Sequence, residues 1–238
     1  MEIKELLVEG STKKVYATDS ADQVIIEFQD TLPPWLSKKK EKVPGKGAIN
    51  NSISSYLFEY LNSYNVPTHF VRKLDERSFA ARRLEMLPMS VHIWNIAGGD
   101  LAARFRLEPL QPLEYPIIEI YFKNPDLGNP MINEYHAYAL GLCDRNEMTQ
   151  ITRIATKVNA VLKSYFQRHQ LRLGDFRLEF GRTQNQILLA DEISADTLTL
   201  FAVDEKGHIT TPKKFTIAGS KKLEVYQCVL EHVVGNKA

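Results

Sequence analysis

The amino-acid sequence predicts an α+β fold: two mostly antiparallel sheets flanked by helices, with a ligand cleft between the sheets. Three observations predict it. Strand-like runs come in groups, helical spacing is confined to a few segments, and the two do not alternate in the regular way of a doubly wound parallel sheet.

The elements follow in order. Ile3 to Val8, Lys14 to Thr18 and Val24 to Phe28 read as strands of a meander, separated by Glu9-Gly10-Ser11 and by Asp19 to Asp22. Asp30 to Trp35 contains Pro33 and Pro34 and leads into Lys38-Lys39-Lys40-Glu41-Lys42, so it reads as an exposed loop. The basic run is either a solvated face or a mobile loop that meets a phosphate or carboxylate. Ile49, Ile53, Leu57 and Tyr60 share one helix face and place a helix over Lys46 to Tyr64, ended by Pro67. Thr68 to Lys73, Ser78 to Arg83 and Met89 to Ile96 read as extended. Gly98-Gly99-Asp100 opens a short helix, and Pro109, Pro112 and Pro116 frame a loop and a strand through Phe122. The longest helix is expected from about Asn146 to His169, with Ile151, Ile154, Val158, Val161, Leu162 and Tyr165 on its apolar side. Leu171 to Phe180 and Gln186 to Ala190 form a hairpin. A last amphipathic helix is expected from about Gly219 to Val234, its face of Leu223, Tyr226, Val229, Leu230 and Val233 reading as core or as a dimer contact.

Composition narrows the function. The 238 residues are 44% hydrophobic and 25% charged, enough to bury a core. A net charge of +1 gives no global field for nucleic acid or an acidic membrane. Cys143 and Cys228 stand far apart without a CxxC pattern, so they read as reduced thiols of a cytoplasmic protein. The opening residues carry no signal peptide and no apolar run reaches the length of a membrane span.

The chemistry concentrates in Gly174-Asp175-Phe176-Arg177-Leu178-Glu179-Phe180 and Ile187-Leu188-Leu189-Ala190-Asp191-Glu192. Side chains alternate along a strand, so Asp175, Arg177 and Glu179 share one face. In a hairpin symmetric about Asn185, Glu179 lies opposite Asp191. Two facing carboxylates are best tolerated around a cation, and carboxylates with nucleotide phosphates are the usual magnesium coordination. The alternative is a solvated polar face. A second feature is Gly10-Ser11-Thr12-Lys13, a turn followed by lysine that can fold over phosphates although it is no Walker A loop. A third is the Pro-punctuated loop from Lys123 to Glu134.

Taken together, these segments resemble the SAICAR synthetase family over nearly the whole chain and in the same order. Gly10 to Tyr16 resembles its GKAKxVY loop and Lys46 to Asn51 its KGxxNN helix start. Arg83 to Pro88 resembles its hinge, and Asn95 with Ala97-Gly98 its RNxAAGS turn. Lys123 to Glu134 resembles KNDxxxDPxxNE, and Asp175 to Gly181 resembles DFKxEFG, with the following DE at Asp191-Glu192. The resemblance implies an ATP-grasp-like fold and a ligase that activates a carboxylate with ATP as an acyl phosphate, which an amine, normally that of aspartate, attacks to form an amide. It implies a nucleotide-binding lobe over residues 1–86 and a lobe with the metal and acceptor sites over 87–238. By position, Asp175 and Arg177 fall at the reacting groups; Gly10, Lys13, Met86, Lys123, Glu179 and Asp191 on ATP; Lys46, Asn95 and Asp196 on the substrate; and Glu179 and Asp191 on magnesium. A homodimer is a further family expectation.

The departures cluster on the acceptor side, with one in the phosphate loop. Ser11 replaces the first lysine of the glycine loop, Thr31 to Ser37 replaces DxSAxDG, and Pro125 and Asn129 replace two aspartates of the KND motif. Arg177 replaces the DFK lysine. Trp94 and Asp100 stand where the family has an arginine and a serine for the ribose phosphate, and Thr199 replaces another arginine. Neither Trp94 nor Thr199 can give a phosphate the bidentate bonds of arginine. The expected function is therefore a carboxylate–amine ligase, acting on the imidazole carboxylate ribonucleotide or on a different carboxylic acid in a secondary pathway. The alternative is a non-catalytic nucleotide-binding protein on the same fold.

Overall fold

The structure is a computed structural model, and it describes residues 1–37, 40–184, 186–204, 206, 208–210 and 222–235. Lys38 and Lys39 of the basic run, Asn185 at the expected hairpin centre, and the expected first turn of the last helix lie outside the described residues. Two compact units emerge. One comprises Met1–Leu84, Ile193–Asp196 and Lys213–Ala238; the other comprises Glu85–Glu192 and Thr197–Pro212. The division expected at residue 86 thus falls close to the first crossing at Leu84, but the chain then returns to the first unit twice.

The first unit holds a five-stranded antiparallel sheet of β1 (Ile3–Glu9), β2 (Lys13–Thr18), β3 (Gln23–Phe28), β4 (Phe70–Lys73) and β5 (Ser78–Arg82), in the order β1-β2-β3-β5-β4. Helix α1 (Lys46–Ser63) covers one face. Its Ile53, Leu57, Phe58 and Leu61 are fully buried. The helix packs on β3 and β5, where Val24, Ile26, Phe28 and Phe79 are also buried, with Phe58 and Phe79 edge-to-face at 6.0 Å between centroids. The start of α1 is built from a distance. Gly45 precedes it at φ +92° and supplies no side-chain cap. Asp30 does so instead, accepting the Gly47 N–H at 2.9 Å while paired with Arg77.

The second unit is a seven-stranded antiparallel sheet of β6 (Glu85–Ile96), β7 (Pro112–Phe122), β8 (Met131–Ile132), β9 (Leu171–Arg182), β10 (Ile187–Ala190), β11 (Leu198–Val203) and β12 (Ile209–Thr210). The order is β12-β11-β9-β6-β7-β8, with β10 taking the rest of the β9 edge. Helix α2 (Gly99–Phe105) follows β6 and α3 (Glu134–Ala139) follows β8. The long α4 (Arg145–Arg168) begins in a capping box in which Asp144 accepts the Glu147 N–H at 2.8 Å and Glu147 accepts that of Asp144 at 2.9 Å. Its Met148, Ile151, Ala155, Val158 and Leu162 are buried, as are Phe176, Leu178 and Phe180 of β9. Helix α5 (Leu223–Val234) belongs to the first unit; its Val225, Tyr226, Val229 and Val233 are buried core, and Leu223 and Leu230 of the expected face are half-buried. Among the described residues no helix is long and apolar enough to cross a membrane.

The α+β class and the antiparallel sheets agree with the sequence. Strands β8, β11 and β12 were not legible. The first and last are two residues long, and β11 carries a register shift between Thr199 and Leu200 that breaks its alternation.

Candidate functional site

The polar face of the second sheet is a ladder of three rows. Tyr121, Ser90 and Glu179 stand side by side on β7, β6 and β9; Glu119, His92 and Arg177 form the next row; Ile117, Trp94 and Asp175 the third. The alternation expected of Asp175, Arg177 and Glu179 is present, with Phe176, Leu178 and Phe180 buried behind them.

The partners of these side chains define the site. Asp175 Oδ1 lies 2.8 Å from His92 Nε2. Lys123, just past β7, forms an ion pair with Glu179. Glu119 is buried and accepts three bonds: from Trp94 Nε1 at 2.9 Å, Tyr121 Oη at 2.8 Å and Arg104 at 2.6 Å. Burial pushes the Glu119 carboxyl up, but these donors outweigh it and hold it below the usual carboxylate range. Burial, and then the Glu119 charge, push the Tyr121 phenol up to about 12, so it stays a neutral donor. Arg104 is further tied to Asp100 at 3.4 Å. Cys143 is buried, and its thiol is pushed up to about 11, which makes it an inert structural residue.

The expected facing of Glu179 and Asp191 needs correction. Glu179 pairs with Ala190, because the hairpin register centres between Gln184 and Asn185, not on Asn185. Asp191 follows the strand in the left-handed region at φ +62°. A residue there no longer obeys strand alternation, so its carboxylate is aimed independently of Ala190. Among the described residues no group of three or more His, Cys, Asp or Glu is gathered to hold a metal. An all-protein cage is therefore absent there, whereas magnesium needs only one or two carboxylates beside phosphate and water oxygens. The hard oxygen donors of Glu179 and Asp191 fit that requirement.

The three residues expected on the substrate have partners within the protein. Lys46 and Asp196 form an ion pair with each other in the first unit, each side chain 1% exposed. Asp196 also accepts from Asn50 at 2.8 Å and from Tyr226 Oη at 2.9 Å. Asn95 lies on the other side of β6 from Trp94, and its amide is used in reciprocal bonds of 2.8 and 3.0 Å with Asn159 of α4. It fastens helix to sheet.

In the first unit a cavity of about 580 Å³ is lined by Gly10 and Ser11 of the first turn, by Thr31, Leu32 and Ser37, and by Lys14, Lys40, Lys42 and Arg77. The glycine turn and the segment that replaces DxSAxDG thus share one cavity, whose cations are offset by Glu9, Glu27 and Asp30 on the same lining. Lys14 lines it, whereas Lys13 lies 5.8 Å from the Phe28 ring centroid. The turn is closed by Gly10 N–H donating to Lys13 O at 2.8 Å. Met86 is 44% exposed at the start of β6, opposite Gly181. His92 was missed by sequence reading. The available signal was a histidine among the mostly apolar residues Val91 to Trp94.

Comparison with known proteins places the sequence and the fold in one family. The SAICAR synthetase family model matches residues 6–224. Phosphoribosylaminoimidazole-succinocarboxamide synthase of Caldanaerobacter subterraneus subsp. tengcongensis is 45% identical over 197 residues, 83% of this chain and 84% of that protein. The crystal structure of the enzyme of the same name from Ehrlichia chaffeensis superposes with a TM-score of 0.88 at 31% identity, covering 98% of this chain and 100% of that one. A SAICAR synthetase in complex with ADP gives the same TM-score at 35% identity, covering 98% and 99%.

Proposed function

The chain belongs to the SAICAR synthetase family, and from that premise we propose how its residues divide the work of an ATP-dependent ligase that joins a carboxylate to aspartate. The observation that carries the reading is the polar ladder, which keeps Asp175, Glu179 and Lys123 together on one sheet face of a family fold that binds ADP in a relative.

A carboxylate oxygen of the acid attacks the γ-phosphorus of ATP, ADP leaves, and the amine of aspartate then attacks the acyl phosphate carbon and expels phosphate. Charge on the transferred phosphoryl group is the main obstacle. Magnesium, held by Glu179 and Asp191, supplies that neutralisation when bound. The glycine turn at Gly10 with Lys13, and Lys123, neutralise phosphate; Met86 offers an apolar contact to adenine; Arg177 and Asp175 stand at the reacting groups.

One observation favours an unphosphorylated acid over the imidazole carboxylate ribonucleotide. Arg104, which shares Glu119 with Trp94, is already committed to Glu119 and Asp100. ADP release with magnesium-ATP and aspartate, compared between the ribonucleotide and its dephosphorylated nucleoside, distinguishes the two. Stimulation by neither, over a panel of carboxylic acids, would sink the ligase reading. Asp191→Asn is expected to abolish magnesium-dependent turnover, about 100-fold or more, with the fold retained by circular dichroism. Wild-type turnover in that variant would remove Asp191 from the metal.

A further inference from the structure

We infer that His92 is the positioning residue of Asp175, holding one carboxylate oxygen on its Nε2–H so that the other faces the attacking amine. The inference rests on the reading of Asp175 as the group beside the reacting atoms. It starts from a cost. An imidazole in the central strand of a sheet, 4% exposed, must find a polar partner. It finds one in the neighbouring strand, a residue along the diagonal of the ladder: Asp175 Oδ1, at 2.8 Å.

An ionised carboxylate only accepts, so the proton of this bond sits on Nε2 and the tautomer is fixed. The ring is fixed too. It lies over the Trp94 indole at 4.1 Å between centroids. Trp94 is held by its bond to Glu119, and Glu119 in turn by Tyr121 and Arg104. The donor that Asp175 meets is therefore the end of a braced chain with little rotational freedom. Asp175 itself keeps its side chain 20% exposed, within reach of a ligand, whereas His92 is sealed behind it at 5%. His92 can act on the reaction only through Asp175. Orientation of this kind is worth large factors, since a small misplacement of a reacting group costs about 100-fold.

The experiment is steady-state kinetics on the full chain with magnesium-ATP, aspartate and the better of the two acids above. His92→Val should lower kcat about 10- to 100-fold and leave the KM for ATP within about twofold. His92→Gln, whose amide N–H substitutes for Nε2–H, should recover most of kcat. In an Asp175→Asn background, His92→Val should change nothing further. A His92→Val enzyme with kcat near wild type would overturn the inference, as would a Gln variant no better than the Val variant. A second readout does not depend on turnover. Ring-nitrogen NMR should show His92 as one Nε2–H tautomer that becomes a mixture in Asp175→Ala, which removes the acceptor; a mixture in the wild type would overturn the inference even if the acid substrate is wrong. Failure of the wild type to turn over any acid counts against the ligase reading alone.

Discussion

At the scale of single residues, the fold brings together charges that lie far apart in the sequence. Lys46 is 0% exposed, and its ammonium, the Asp196 carboxylate, Asn50 and Tyr226 form one closed cluster. Removing one partner of such a pair leaves the other charged and buried. Lys46→Met should therefore cost about 3–5 kcal/mol, read by urea unfolding of the whole chain, and Lys46→Met with Asp196→Leu should recover most of it. A substrate-contacting lysine would behave the other way round, losing activity at unchanged stability, and that result would reject the buried-pair account. The sequence could identify the charged residues but not their partners, since Lys46 and Asp196 are 150 positions apart. Asp175, Arg177 and Glu179 were legible because β9 has one buried and one open face, so alternation survives. Asn95 and His92 were not, because Val91 to Ile96 are buried on both sides of the central strand β6, where alternation vanishes.

At the scale of elements, the start of α1 shows how a helix end can depend on a residue well outside it. Gly47 has no room for a side chain, since a Cβ there would lie 2.6 Å from Phe28 O. That close approach brings the helix N-terminus to Asp30, which accepts the Gly47 N–H and pairs with Arg77. Burial pushes the Asp30 carboxyl up, but Arg77 and the Gly47 and Gly45 N–H groups outweigh it, so its folded value lies below the ordinary one. A depressed carboxyl adds stability that is complete above its unfolded value of about 4 and disappears as pH falls through the folded value. Asp30→Ala should thus cost about 1 kcal/mol at neutral pH, and the gap from wild type should close on acidification below about pH 4. Thermal melts at several pH values measure it; a gap that is constant with pH would mean that packing, not the charge, holds the helix end. The helix itself was legible from Ile49, Ile53 and Leu57. Its cap was not, because Gly45 hides the signal a Ser or Asp would give.

At the scale of the whole molecule, the chain's path decides what can fold alone. A division at residue 86 follows naturally from reading motifs in order, yet the first unit is completed by Ile193–Asp196 and by α5. Helix α5 buries Val225, Tyr226, Val229 and Val233 in that unit. At about 1.5–3 kcal/mol for each large apolar side chain, this helix contributes an amount comparable with the whole net stability of a domain, about 5–15 kcal/mol. A fragment of residues 1–86 would lose that burial and would also keep Lys46 at the base of α1 without Asp196 or Tyr226 to neutralise and surround it. It should therefore show no near-UV circular dichroism and no cooperative urea transition, whereas the full chain should show both. Restoring residues 187–238 in trans should rescue it only if Asp196 is present, so the same mixture with Asp196→Leu should stay unfolded. A cooperative transition in the isolated fragment would mean that β1 to β5 and α1 suffice, and that Lys46 finds water or another partner once Asp196 is gone.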